Sequence, residues 1–126
     1  MERTCRELNV KIVAFTPIGQ GLLTDKLTDE NFKTNKAARM MRFKSSGELS
    51  ALRSEVSALA AKYSKSMAQV ALNWCIQHKV IPLVGCRSTS QARDSVGCLG
   101  WSLSEEDVKR LDAVALDRST LDSKYG

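Results

Sequence analysis

Ile81-Pro82-Leu83-Val84-Gly85-Cys86-Arg87-Ser88-Thr89-Ser90-Gln91-Ala92-Arg93-Asp94-Ser95 joins an apolar run, a glycine, a basic residue and a capped helix start without interruption. Val80 to Val84 is a short apolar segment that fits a buried strand. Gly85 has no Cβ to keep a ligand away from the backbone. Arg87 adds a fixed charge, and Ser88 with Gln91 three residues on reads as a capping box. The helix so started presents free N–H groups and a positive dipole end to the same place. The pattern is that of a phosphate-holding turn. It carries neither the GxGxxG fingerprint nor a P-loop lysine, and strand-to-helix connections that bind nothing also use Gly and Ser.

Working outward, Val10 to Phe15 is a first apolar run, read as a buried strand, and Thr16-Pro17-Ile18-Gly19-Gln20-Gly21 ends it with breakers. Residues 24–46 are polar and basic, with Lys26, Lys33, Lys36, Arg39, Arg42 and Lys44, and read as a long mobile loop. From Glu48, Leu49, Leu52, Val56, Leu59, Ala60 and Tyr63 recur on one helical face. Ser66 and Gln69 form a second capping box, opening a helix with Met67, Val70, Ala71, Trp74 and Cys75 on one side and Leu72 and Ile76 on another, so this helix should be deeply buried. The only histidine, His78, falls in its last turn, where the negative dipole end commonly places one.

After the second strand, the helix from Ser88 is stopped by Gly97 and Gly100, and Trp101 should close over the core. Ser104-Glu105-Glu106-Asp107 is a capped, acid-rich start to a last helix carrying Val108, Leu111 and Val114, and 117–126 reads as a frayed tail. Strands alternating with helices in this order predict an α/β protein with parallel βαβ packing.

Composition narrows the function classes. At 126 residues and 43% hydrophobic content the chain makes at most one domain. Its net charge of +5 is spread among 14 acids, with few aromatics and no basic stripe, which argues against nucleic acid. Cys5, Cys75, Cys86 and Cys98 form no CxxC pair and have no histidine at ligand spacing, so no metal site is expected and a reducing compartment fits best. Charges at Glu2, Arg3, Arg6, Glu7 and Lys11 exclude a secretory signal, and no apolar run reaches membrane-spanning length, so a soluble protein without membrane contact is expected.

Val13 to Thr24, Ser66 to Cys75 and Ile81 to Leu103, in that order, resemble the aldo-keto reductase family, particularly its plant and bacterial members. The resemblance covers nearly the whole chain. It implies a partial (β/α)8 TIM barrel, the last two βα units plus the C-terminal helix, in which residues 1–126 are the C-terminal part of an NADP-dependent oxidoreductase domain. By the same resemblance Phe15 matches the aromatic that stacks on the nicotinamide, and Thr16, Ile18 and Gln20 match loop positions near the pyrophosphate. Gly85 and Cys86 match the turn beside the adenosine phosphates, Arg87 a basic position favouring the 2′-phosphate of NADP (NADPH), and Gln91 and Ser95 two contacts to the adenosine end. Many members carry arginine where Gln91 stands and asparagine where Ser95 stands, so the preference for NADP rests mainly on Arg87.

The family reduces carbonyls to alcohols by hydride transfer, with a tyrosine, lysine, aspartate and commonly a histidine contributed by earlier strands. Tyr63, Tyr125 and His78 match none of these, so no catalytic residue is assigned and the chain alone is expected to be inactive. A small carbonyl substrate would then belong to a complete parent barrel. The alternative is a non-catalytic NADP-binding or protein-interaction module that pairs through exposed barrel edges. Cytoplasmic localisation is expected, or a plastid if the parent carries a transit peptide.

Overall fold

A computed structural model describes residues 2–28 and 46–116. Along the chain these form α1 (Glu2–Glu7), β1 (Ile12–Phe15), a 3-10 turn (Gly19–Gly21), α2 (Ser46–Tyr63), α3 (Met67–Gln77), β2 (Val80–Leu83), α4 (Thr89–Val96) and α5 (Glu105–Val114). The expected mobile loop falls largely on residues 29–45 and the expected tail on 117–126, both outside the described residues.

The helical period read from the sequence is the one that packs. On α2, Leu49, Val56, Leu59 and Ala60 are buried, with Leu52 and Tyr63 partly so. Each large aliphatic side chain so enclosed contributes roughly 1.5–3 kcal/mol relative to an exposed one. The capping box of α3 is complete: Gln69 N–H donates to Ser66 Oγ at 3.2 Å, and Ser66 N–H donates to Gln69 Oε1 at 3.1 Å. Its apolar residues face two ways because α3 is central, packed by α2, β2, α4 and α5. Buried Asn73 ties down the segment after α4. Its Nδ2 donates to the carbonyls of Cys98 (2.9 Å) and Trp101 (3.0 Å), and its Oδ1 accepts from Leu103 N–H (3.0 Å). Trp101 packs beside Tyr63, ring centroids 5.2 Å apart, and against the core cluster as expected.

A charged cluster fastens α5 to α2. The Asp107 carboxylate is fully enclosed and accepts at Oδ2 from Lys62 Nζ (2.7 Å), Tyr63 OH (2.6 Å) and Ser104 Oγ (2.8 Å). Burial pushes this carboxyl upward, but the hydrogen bonds from Lys62, Tyr63 and Ser104 outweigh it and hold the group at about 2. Lys62 is raised in turn, first through its hydrogen bond to Asp107. Arg110 Nη2, 2.8 Å from Glu55 Oε1, adds a second tie between the same helices.

β1 and β2 pair in parallel with Ile12 opposite Val80 and Phe15 opposite Leu83. The reading of both strands as buried needs correction. Only one face is covered: Ile12, Ala14, Val80 and Pro82 are half-buried, with α3 packed on β2. Val13, Phe15, Ile81 and Leu83 on the other face are 54%, 80%, 52% and 60% exposed. An apolar run of this length reads as two-sided burial, but among the described residues a helical layer stands on one side only.

Candidate cofactor-binding site

Because the strands are parallel and in register at Phe15 and Leu83, the segments leaving their carboxyl ends emerge at the same end of the sheet. Residues 16–21 and 84–91 are thereby brought together, although they are remote in sequence. This is the end at which α/β folds bind ligands.

The first segment is conformationally unusual. Thr16, Gly19, Gln20 and Gly21 have φ of 53°, 58°, 54° and 97°. A left-handed backbone at the β-branched Thr16 and at Gln20 costs on the order of 1–3 kcal/mol each, and such residues persist where surrounding contacts over-determine them. The local bonds do this: Gly19 N–H donates to Thr16 O (2.9 Å), Gly21 N–H to Ile18 O (3.1 Å) and Leu23 N–H to Ile18 O (3.2 Å). Thr16 and Ile18 are half-buried, while Gln20 is exposed. Phe15, at 80% exposure on the open face, is no core aromatic in this chain.

The second segment is built as a turn into α4. Ser88 is its N-cap and accepts from Gln91 N–H at 3.3 Å, but the reciprocal half of the expected capping box is displaced by one residue. Gln91 Oε1 accepts the N–H of Arg87 at 2.7 Å. Gln91 thus braces the turn, and Ser95 does so from the next helical turn, its Oγ 3.7 Å from Cys86 Sγ. The first-turn N–H groups of Thr89 and Ser90 have no acceptor within the helix. Arg87 is exposed, and among the described residues no ion pair engages its guanidinium. Among the described residues a Cβ at Gly85 would meet nothing within 4 Å, and its φ is not left-handed. Among the described residues neither packing nor backbone conformation requires glycine there.

His78 and Tyr63 are both engaged by other side chains. His78 Nε2 lies 2.9 Å from Asp112 Oδ1, which also accepts from Trp74 Nε1 at 2.8 Å, joining α5 to the end of α3. Tyr63 is committed to Asp107. Among the described residues no group of three or more histidine, cysteine or acidic side chains could hold a metal ion, and no helix is long and apolar enough to cross a membrane. Burial raises the Cys75 thiol to about 11 and also raises that of Cys98.

Sequence reasoning missed the residues that hold the two segments in place. Arg53 on α2 donates to the carbonyls of Leu22, Thr24 (3.2 Å) and Leu27 (2.5 Å), and Asp25 Oδ2 accepts from Met67 N–H (3.4 Å) at the start of α3. Gln69 Nε2 reaches across to Asp94 of α4, at its carbonyl (2.9 Å) and at Oδ1 (3.1 Å). An arginine beside the apolar stripe of α2 and three leucines in a polar loop were the only signals available for the first of these.

Fold and site define a parallel α/β protein in which the loops that follow both strands leave from one end of the sheet. Residues 1–116 match the aldo/keto reductase family, and the chain belongs to it. It is 33% identical over 111 residues to the chloroplastic pyridoxal reductase of Arabidopsis thaliana, a match covering 88% of this chain and 30% of that protein. Among solved structures it resembles the glycerol dehydrogenase of Gluconobacter oxydans, with 26% identity and a TM-score of 0.76 over 90% of this chain and 36% of that one. An aldo-keto reductase from a Medee basin deep-sea metagenome library, 16% identical, shares the fold with a TM-score of 0.59 over 90% of this chain and 33% of that one. The chain spans about a third of the length of the curated relative it matches. The family comprises oxidoreductases that generally use nicotinamide cofactors.

Proposed function

We propose that this chain is the cofactor-binding portion of an NADPH-dependent carbonyl reductase, the last two βα units of a (β/α)8 barrel with its C-terminal helix. The observation that carries this reading is the shared strand end. It unites a strained 16–21 loop with a Gly85–Arg87 turn at which, among the described residues, a side chain would meet nothing within 4 Å. On this reading Phe15 offers its exposed ring to the nicotinamide, and Thr16, Ile18 and Gln20 line the pyrophosphate. Gly85, Cys86 and the α4 N-terminus receive the adenosine phosphates, with Arg87 at the 2′-phosphate. Gln91 and Ser95 serve the adenosine end chiefly by holding the turn in shape. When bound, the cofactor supplies a hydride to a carbonyl carbon.

Among the described residues the one tyrosine, Tyr63, is held 2.6 Å from Asp107 and is not assigned the proton-donor role. Turnover on a small carbonyl substrate then requires the rest of a barrel, in the same chain or in a partner pairing along the open edges of β1 and β2. The plastid is a candidate compartment on the strength of the Arabidopsis relative, and the cytoplasm is the other.

Fluorescence titration of the 126-residue chain with NADPH and NADH tests the reading. NADPH should bind more tightly than NADH, and Arg87→Ala should remove most of that difference, tenfold or more. Equal affinities unaffected by Arg87→Ala would refute the 2′-phosphate role. NADPH oxidation above background with a simple aldehyde or quinone would refute the inactivity.

A further inference from the structure

We propose that Arg53 is a positioning residue for the nicotinamide-side loop, holding it in its bound conformation from α2. The inference rests on the cofactor reading above and adds to it a residue that touches no cofactor. Arg53 spends its guanidinium on the backbone carbonyls of Leu22, Thr24 and Leu27, in a segment outside any strand or helix where Thr24 O also accepts Leu27 N–H at 3.3 Å. The planar fork of arginine serves several acceptors at once, which a lysine ammonium on one flexible stem does not reproduce. Leu22 and Leu27, at 1% and 4% exposure, are packed inward beside these carbonyls, so the segment is seated as well as hydrogen-bonded.

The connection to the site is short. Leu22 N–H donates to Gly19 O (3.2 Å), Leu23 N–H to Ile18 O (3.2 Å) and Thr24 Oγ1 to Gly21 O (2.7 Å). Fixing residues 22–27 therefore fixes the carbonyls of the left-handed segment itself. Without Arg53 the 16–21 loop would relax from its unfavourable backbone, and cofactor binding would have to re-order it at each encounter. A loop already held in its bound shape avoids that cost.

Three forms of the full chain, the parent, Arg53→Met and Arg53→Lys, are titrated with NADPH well below their unfolding temperatures, and the dissociation rate is followed by stopped-flow fluorescence. Arg53→Met should weaken NADPH at least tenfold, chiefly by faster dissociation. Added guanidinium at about 10 mM should recover part of the loss by refilling the fork site. Arg53→Lys should show an intermediate loss with its helical circular dichroism intact, which keeps the test usable if the methionine variant fails to fold. Unchanged affinity in a folded variant, with only a lowered unfolding temperature, would make Arg53 merely structural and overturn the inference while leaving the cofactor reading in place. Failure of the folded parent chain to bind NADPH would overturn both.

Discussion

Asp107→Asn should destabilise the chain by a pH-dependent amount, because it removes one charge from a pocket whose neighbours are donors. The carboxylate sits at 1% side-chain exposure with Lys62, Tyr63 and Ser104 all within 2.8 Å of Oδ2. A carboxyl held at about 2 against an ordinary 3.8 corresponds to roughly 2.5 kcal/mol, at 1.36 kcal/mol per pKa unit. Lys62 is 53% exposed, so solvent and salt screen its share, and a contribution of about 1.5–2 kcal/mol at pH 7 is the better figure. The folded-state pKa is depressed, so the stabilisation is complete above the unfolded value and is lost as pH falls from about 5 toward 2. Urea unfolding of parent and variant at intervals from pH 7 to pH 2 measures this directly. Taking the difference between the two proteins cancels the titration of the other carboxylates. That difference should shrink to a few tenths of a kcal/mol at the acid end. A difference that stays constant across the range would show that Asp107 acts through packing alone and refute the charge argument.

Gly97→Ala should cost about 1–3 kcal/mol, since its Cβ would lie 2.2 Å from Gln69 Nε2 and displace an amide that bonds Asp94; thermal unfolding checks it, and a neutral result would show that Gln69 has another rotamer free. With a disulfide-exchange reagent near pH 8, exposed Cys86 should react promptly. Cys75, raised to about 11, and buried Cys98 should react only at the rate of unfolding, and the time course of thiol release would expose any departure from that order.

Gly97 also shows where reading the sequence stops. It reads as a helix stop, and α4 does end there, but its φ is −63°, an ordinary helical value. The space a side chain would need is taken by the amide of Gln69, from a different helix. The same division runs through the molecule. The faces of α2 and α3, the caps at Ser66, Ser88 and Ser104 and the order of the two strands were legible because each depends on neighbours a few residues away. The pairing of Lys62 and Tyr63 with Asp107, the grip of Arg53 on residues 22–27 and the reach of Gln69 to Asp94 were not, since each joins elements whose meeting depends on the fold. For the site, Phe15 and the Gly85–Arg87 turn were legible as candidates. That Gln91 serves the N–H of Arg87 was not, because a capping pattern shifted by one residue has the same sequence.

The pairing of β1 with β2 bears on how the chain acquires its structure. Ile12 must find Val80 across the whole interval that contains α2 and α3, and the chain entropy lost on closing so wide a loop is recovered only once the intervening segment is compact. The contacts of α2 with α3 span a single turn and form far sooner. The helical hairpin is therefore expected to form first and the sheet to condense upon it, bringing the two loops of the site together late in folding. Substitutions at Val13 or Ile81 should accordingly hasten unfolding and leave the folding rate nearly untouched, whereas substitutions at Leu59 or Val70 should slow folding itself.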